Sequence, residues 1–192
     1  MSKKYLLLIF LSMIVFITAC NDNELQYDQP ESQNDESELD RLFHLYPEIE
    51  KEYNQIPEEI KEEIVVPSLE NIPFEVEEIS LTYKESGDQN LPSARLSYMG
   101  NSNYVSVNVW KYPEEKTTFR KMHPIMLKQN MHAYYRDEGL DKLVQWENPT
   151  KKDLLHHVVL TKYGENQDNG YEFTIDEAID IANSALDNGA NE

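Results

Sequence analysis

The residues able to do chemistry are few and loosely spaced. His123 and His132 stand among Met122, Met126 and Met131, and imidazole with soft thioethers is the donor set of an extracytoplasmic copper site. No Met-x-x-Met or His-x-His repeat tightens the group, so His123, His132 and Met126 are weak metal candidates. Met122 and Met131 read equally well as gap-filling core residues. His156 and His157 are adjacent on an expected strand, where neighbouring side chains point to opposite faces and do not share one ion. Glu165, Gln167, Asn169 and Gly170, with Asp176 in the twelfth place, weakly echo a calcium loop. With one leading carboxylate, an Asn-Gly hairpin turn explains the segment better. There is no Gly-x-Ser-x-Gly elbow, phosphate-binding Gly-rich loop or His-Glu-x-x-His helix. No catalytic residue, metal or cofactor is assigned, and the reading is non-enzymatic.

Charge narrows the partners. The 192 residues carry 36 acidic against 17 basic groups, a net −19, so nucleic acid is not expected as a partner: phosphate binding needs clustered Lys and Arg. Hydrophobic residues at 40% suffice for one modest core.

The single cysteine is the most informative residue. Lys3 and Lys4 precede a stretch from Tyr5 to Ala19 almost free of polar groups. That is shorter than the about 20 residues a membrane-spanning helix needs, and so suits a signal-peptide core. It ends in Ile17-Thr18-Ala19-Cys20, followed by polar Asn21-Asp22-Asn23. This arrangement resembles the lipobox of bacterial lipoprotein precursors, with Ile17 where that family usually has Leu. The resemblance implies that Cys20 becomes an S-diacylglycerol cysteine, that cleavage falls between Ala19 and Cys20, and that the new N-terminus is open to N-acylation such as palmitate. Two acyl chains then hold the protein on the extracytoplasmic face of the cell membrane. An ordinary secretory signal with a chance Cys and an uncleaved anchor are the competing readings.

The elements behind the anchor fall into three stretches. Residues 20–38, poor in apolar groups, read as a disordered acidic tether. Residues 21–70 hold 16 acids against Arg41, Lys51 and Lys61, a net −13, which keeps this stretch off anionic surfaces. Across 39–64, Leu39, Leu42, Tyr46, Ile49, Tyr53, Ile56 and Ile60 alternate at three and four residues. Pro47 and Pro57 divide this amphipathic arm into short helices near 37–46, 47–55 and 57–64. The arm is expected either to bind a partner or associate with itself, or else to pack on its own domain or stay loosely formed; in each case it contributes little to the core, so that residues 66–192 fold alone.

Residues 65–188 read as an α+β domain, with 189–192 as a tail: an antiparallel sheet of about six to seven strands packed by a C-terminal helix. Strands are expected at 74–83 with a phase slip near Glu77-Glu78, at 94–98, 105–109, 131–136, 142–147 and 154–163, and a short one at 171–173. The segment 122–130 is ambiguous. Thr174 and Glu177 form a capping box. Ile175, Ala178, Ile179, Ala182, Ala185 and Leu186 make one apolar face, ended by Asn188-Gly189. The strand aromatics Tyr98, Tyr104, Trp110, Tyr112, Tyr134, Tyr135 and Trp146 are assigned mainly to packing, with a sugar or peptide groove as the alternative.

Tyr98, the Val-rich strand after it, the Leu-Val-x-Trp ending at Trp146, and the Thr-Ile-Asp-Glu-Ala-Ile-x-Ile-Ala-Asn-Ser helix together resemble an extracytoplasmic domain-of-unknown-function family. That family occurs in Gram-positive lipoproteins and anti-sigma-factor-like membrane proteins, and the likeness covers about residues 67–188. Its shape is similar to that of lipoprotein-carrier and sigma-regulator sensor domains, and it implies no catalytic residues.

Three functions are therefore weighed: a protein-interaction or sensory lipoprotein, a carrier or sensor of a lipophilic or small ligand held between sheet and helix, and a metal-binding protein or envelope hydrolase. An apolar cavity above roughly 300 Å³ under helix 174–187 would mark the carrier. A filled core with an exposed aromatic patch would mark the interaction module. Converging His and carboxylates in a cleft would mark the enzyme.

Overall fold

The computed structural model describes residues 37–85, 91–112, 121–163 and 172–189. The signal segment, Cys20, nearly all of the tether and the weak calcium-loop residues 165–170 lie outside these residues. Among the described residues no helix is long and apolar enough to cross a membrane.

The chain forms α1 (Glu38–Leu45), α2 (Pro47–Tyr53), α3 (Glu58–Lys61), β1 (Glu78–Lys84), β2 (Ser93–Gly100), β3 (Asn103–Lys111), β4 (His123–Met126), β5 (His132–Glu138), β6 (Asp141–Glu147), β7 (Leu154–Lys162) and α4 (Ile175–Gly189). Short 3-10 turns stand at Leu69–Asn71 and Lys128–Asn130. The seven strands make one antiparallel sheet in the order β1-β2-β3-β7-β6-β5-β4, the α+β class expected from the sequence.

Local chemistry sets the boundaries. Ser37 caps α1, its hydroxyl accepting from the Asp40 amide at 3.1 Å, and Pro47 opens α2. At the head of α4 the Thr174 hydroxyl accepts from the Glu177 amide at 3.2 Å, and the Glu177 carboxylate accepts from the Thr174 amide at 2.7 Å. Asn101 and Ser102, with φ of 46° and 63°, make a two-residue hairpin between β2 and β3. The Asn148 side-chain oxygen accepts from the amides of Thr150 and Lys151 at 2.8 and 2.9 Å and turns the chain between β6 and β7.

One face of the sheet carries the core. Ile79, Leu81, Ala94, Leu96, Tyr98, Val105, Val107, Val109, Val144, Trp146, Val158 and Leu160 are buried there. Its cover has two halves. Helix α4 lies over β5, β6 and β7, while α2 packs on β1 and α3 on β2 and β3.

The arm packs on its own domain, as one of the expected readings had it, but contributes far more to the core than expected. Leu42, Ile49, Ile56 and Ile60 are between 0 and 3% exposed and belong to the same hydrophobic cluster as the sheet. One compact unit begins at Ser37, not at residue 65. A single 15-residue helix cannot roof seven strands, so the three-four repeat of 39–60 supplies the missing half.

Other differences are local. The phase slip at Glu77-Glu78 marks the start of β1, so the expected strand over 74–83 begins only at Glu78. Phe74 and Val76 precede it, and only the Glu77 amide reaches across, donating to the Met99 carbonyl at 2.8 Å. The ambiguous segment is the edge strand β4 followed by a turn in which Gln129 and Asn130 both have φ of 56°. Glu172 and Phe173 are outside any strand, and Phe173 is instead buried against Phe74 with ring centroids 6.1 Å apart. The buried stripe of α4 includes Ile181 and Ser184, while Ile175 and Ile179 are only partly covered.

Candidate functional site

Antiparallel pairing of β6 and β7 puts Trp146 directly opposite His156 on the core face. The imidazole lies flat on the indole, with centroids 5.3 Å apart and planes 6° from parallel. The chain that leaves α3 then brings Glu63 against the same histidine. His156 Nε2 is 3.0 Å from the Glu63 carbonyl oxygen and 3.7 Å from carboxylate atom Oε2.

That contact fixes the tautomer. A carbonyl oxygen only accepts, so Nε2 carries the proton and Nδ1 presents its lone pair. Burial holds the ring below the ordinary imidazole pKa, against the opposing pull of the Glu63 carbonyl and carboxylate, so the neutral form is favoured. Nδ1 is buried and takes no hydrogen bond among the described residues.

Glu63 is itself held from two sides. Its carboxylate accepts from Lys151 Nζ at 2.9 Å and from the Asn148 side-chain amide. Lys151 also reaches Glu62 at 3.0 Å, and these two carboxylates raise its pKa. The polar clamp joins the end of the arm to the β6–β7 turn. A second tie runs to α4: the Ser68 amide donates to the Ser184 hydroxyl at 2.9 Å, and the Asn188 side chain donates to the Val66 carbonyl at 2.9 Å.

Between these ties is a cleft of about 340 Å³. Apolar walls come from Leu39, Tyr53, Val65, Met131 and Leu186, and polar ones from Glu38, Glu63, Asn148 and Asn188, with Trp146 and His156 also lining it. It lies at the C-terminal end of α4 and reaches to the first turn of α1. Within α1, carboxylate atom Oε2 of Glu38 is buried and takes no hydrogen bond among the described residues. The same holds for the Tyr98 hydroxyl, whose pKa is raised first by burial and then by the charge of Glu38. The two aliphatic hydroxyls lining the cleft are committed locally: Ser37 donates to Asp40 at 2.8 Å, and Thr150 donates to the Asn148 side chain at 2.8 Å. A mixed surface of this kind suits noncovalent binding of an amphiphilic molecule.

The weak metal candidates are not brought together. Met126 and His132 are a cross-strand pair on the edge hairpin, but His123 pairs with Tyr135, three residues along, and so projects from the other face. His123 stacks on Tyr135 with centroids 5.1 Å apart. Among the described residues no group of three or more His, Cys, Asp or Glu could hold an ion.

His156 and His157 do point to opposite faces, and each stacks on one of the chain's two tryptophans: His157 rests on Trp110 with centroids 5.1 Å apart. The aromatics divide accordingly, with Tyr98, Tyr135 and Trp146 on the helix-covered face and Tyr104, Trp110 and Tyr134 on the other. Tyr112 lies beyond β3 and donates its hydroxyl to Glu147 at 2.9 Å.

Glu63, Asn148 and Lys151 carry no sequence signal of a site. Glu63 and His156 are 93 residues apart, and nothing in the spacing around either one announces the other. No family model, curated protein or solved structure matches this chain.

Proposed function

We propose that this chain is a lipoprotein of the extracytoplasmic membrane face, anchored through Cys20, whose α+β domain is a binding or sensory module for a small amphiphilic ligand. The observation that carries the ligand reading is the cleft of about 340 Å³ between arm, α4 and the β6–β7 turn, a size within the range of small-molecule sites. Its apolar walls and buried acceptors favour a molecule that offers hydrogen-bond donors beside a hydrocarbon portion. A purely apolar lipid would leave the Glu38 Oε2 and His156 Nδ1 atoms without partners, at a cost on the order of 1–3 kcal/mol for each buried polar atom. The anchor reading rests on the Lys3-Lys4 start, the apolar run and the Thr18-Ala19-Cys20 ending.

Native mass spectrometry of the protein extracted from its own membrane tests both parts. The expected mass is that of residues 20–192 plus diacylglycerol, with a copurifying small molecule released on denaturation. A lipidated protein free of any small molecule would count against the ligand reading alone. An unlipidated mass, or lipid labelling that persists in Cys20→Ala, would remove the anchor.

A further inference from the structure

The cleft beside α4 has a sign as well as a shape. Among the described residues that line it, Glu38, Glu62 and Glu63 are negative and Lys61 alone is positive. Lys61 is paired with Glu58 at 3.3 Å. Behind the wall, Lys151 is shared between Glu62 and Glu63 at 3.0 and 2.9 Å, so one positive charge answers two negative ones. Glu38 has less: Arg41 stands 3.4 Å from its Oε1, and its Oε2 takes no hydrogen bond among the described residues. The last turn of α4 adds to the same sign. Leu186, Asn188 and Gly189 line the cleft, which puts the negative end of a 15-residue helix dipole in its wall.

The cleft already holds an ammonium of the chain's own. Lys61 Nζ lies 5.2 Å from the centroid of the Tyr53 ring, and both residues belong to the wall. Hydrogen-bond sense agrees with the charge. His156, 3% exposed, lines the cleft with Nε2 committed to the Glu63 carbonyl, so its unbonded Nδ1 is an acceptor. Glu38 Oε2 is another. An ammonium offers three donors and no acceptor, whereas a carboxylate or phosphate would set acceptors against acceptors. The charge is within reach of a ligand, since the side chains of Glu38 and Glu62 are 18% and 58% exposed.

We propose that the ligand of this cleft is a small organic amine bound as its cation, with the ammonium at Glu38 and the hydrocarbon portion on Leu39, Val65, Met131 and Leu186. The proposal rests on the cleft being a small-molecule site and adds the sign of its occupant. An alkyl amine, like a lysine side chain, is protonated at neutral pH. Glu38 is mostly covered, so water weakens its attraction for that charge less than it would at an open surface.

Isothermal titration of the intact chain in a nonionic detergent with 2-phenylethylamine, 2-phenylethanol and 3-phenylpropanoate provides the test. The three share a ring on a short chain and differ in charge. The amine is expected to bind at least about tenfold more tightly than either of the others, the order of a charge-assisted pair. Glu38→Gln, which keeps the shape of the side chain, should bring the amine down to the level of the alcohol. Leu39→Trp, which fills the cleft, should abolish amine binding, and in the same detergent it also measures uptake by micelles. Thermal melts check that both variants fold, and the comparison of the three ligands needs no variant. Alcohol or carboxylate binding as tightly as the amine, and lost in Leu39→Trp, would overturn the ammonium and leave the cleft a ligand site. An amine preference that persists in Glu38→Gln would overturn the assignment of Glu38. No binding of any of the three, or amine binding that survives Leu39→Trp, would remove the proposal and the ligand reading together.

Discussion

The imidazole of His156 lies on the indole of Trp146 with planes 6° apart, and its Nε2 donates to the Glu63 carbonyl at 3.0 Å. One side chain thus joins the sheet, the arm and the floor of the cleft. Because the ring is neutral and fixed in one tautomer, it ties the arm down without a buried positive charge, and acid threatens that tie.

Stability is expected to fall on mild acidification. In the unfolded chain His157 takes its proton near 6.5, but in the folded chain burial, with His156, Arg136 and Arg95 nearby, lowers this to about 4, so between these values protons favour the unfolded state. The loss from His157 amounts to on the order of 2 kcal/mol by pH 5. His156, lowered by burial, shifts stability in the same direction. Thermal melts at pH 7 and pH 5 check this, and an unchanged midpoint would contradict the buried, neutral pair.

The arm is required for folding. Leu42 and Ile60 are both 0% exposed, and truncating either to Ala should cost about 2–5 kcal/mol in urea unfolding. A chain starting at residue 66 would expose Leu81, Leu96 and Val107 and should not give a cooperative transition. If that fragment melts as sharply as the whole chain, the roofing role of α2 and α3 is wrong.

The clamp at the cleft should show coupling. Lys151 and Glu63 are 2.9 Å apart, with side-chain exposures of 39% and 10%, so water screens one partner far more than the other. A double-mutant cycle with Lys151→Met and Glu63→Gln should return a coupling of about 1 kcal/mol. A value near zero would mean the arm is held by packing alone.

Gly100 is a steric requirement. A Cβ there would stand 2.0 Å from the Glu75 carbonyl oxygen, which is backbone and cannot swing aside. Gly100→Ala should therefore destabilise by about 1–3 kcal/mol or more, whereas Gly139→Ala, with open space around it, should cost only its positive-φ strain of about 1 kcal/mol. Equal effects of the two changes would show that the chain before β1 moves away freely.

The sequence by itself determined the fold class and most of the elements. Alternation at Val105, Val107 and Val109, the Thr174–Glu177 capping box and the two prolines of the arm are each local: a few neighbouring side chains decide backbone conformation, and those neighbours are adjacent in the chain. The opposite orientations of His156 and His157 were legible for the same reason, since the strand period fixes them. Only the tertiary structure decided what those elements cover. That the three-four repeat of 39–60 roofs half the sheet depends on one helix being too narrow for seven strands, a matter of area and not of pattern. The cleft likewise required Glu63 and His156 to meet across 93 residues. The stack of His157 on Trp110, on the other sheet face, required β3 to pair with β7 and not with β4. Strand order is set by the summed burial of both faces, a property that no short stretch of the chain carries.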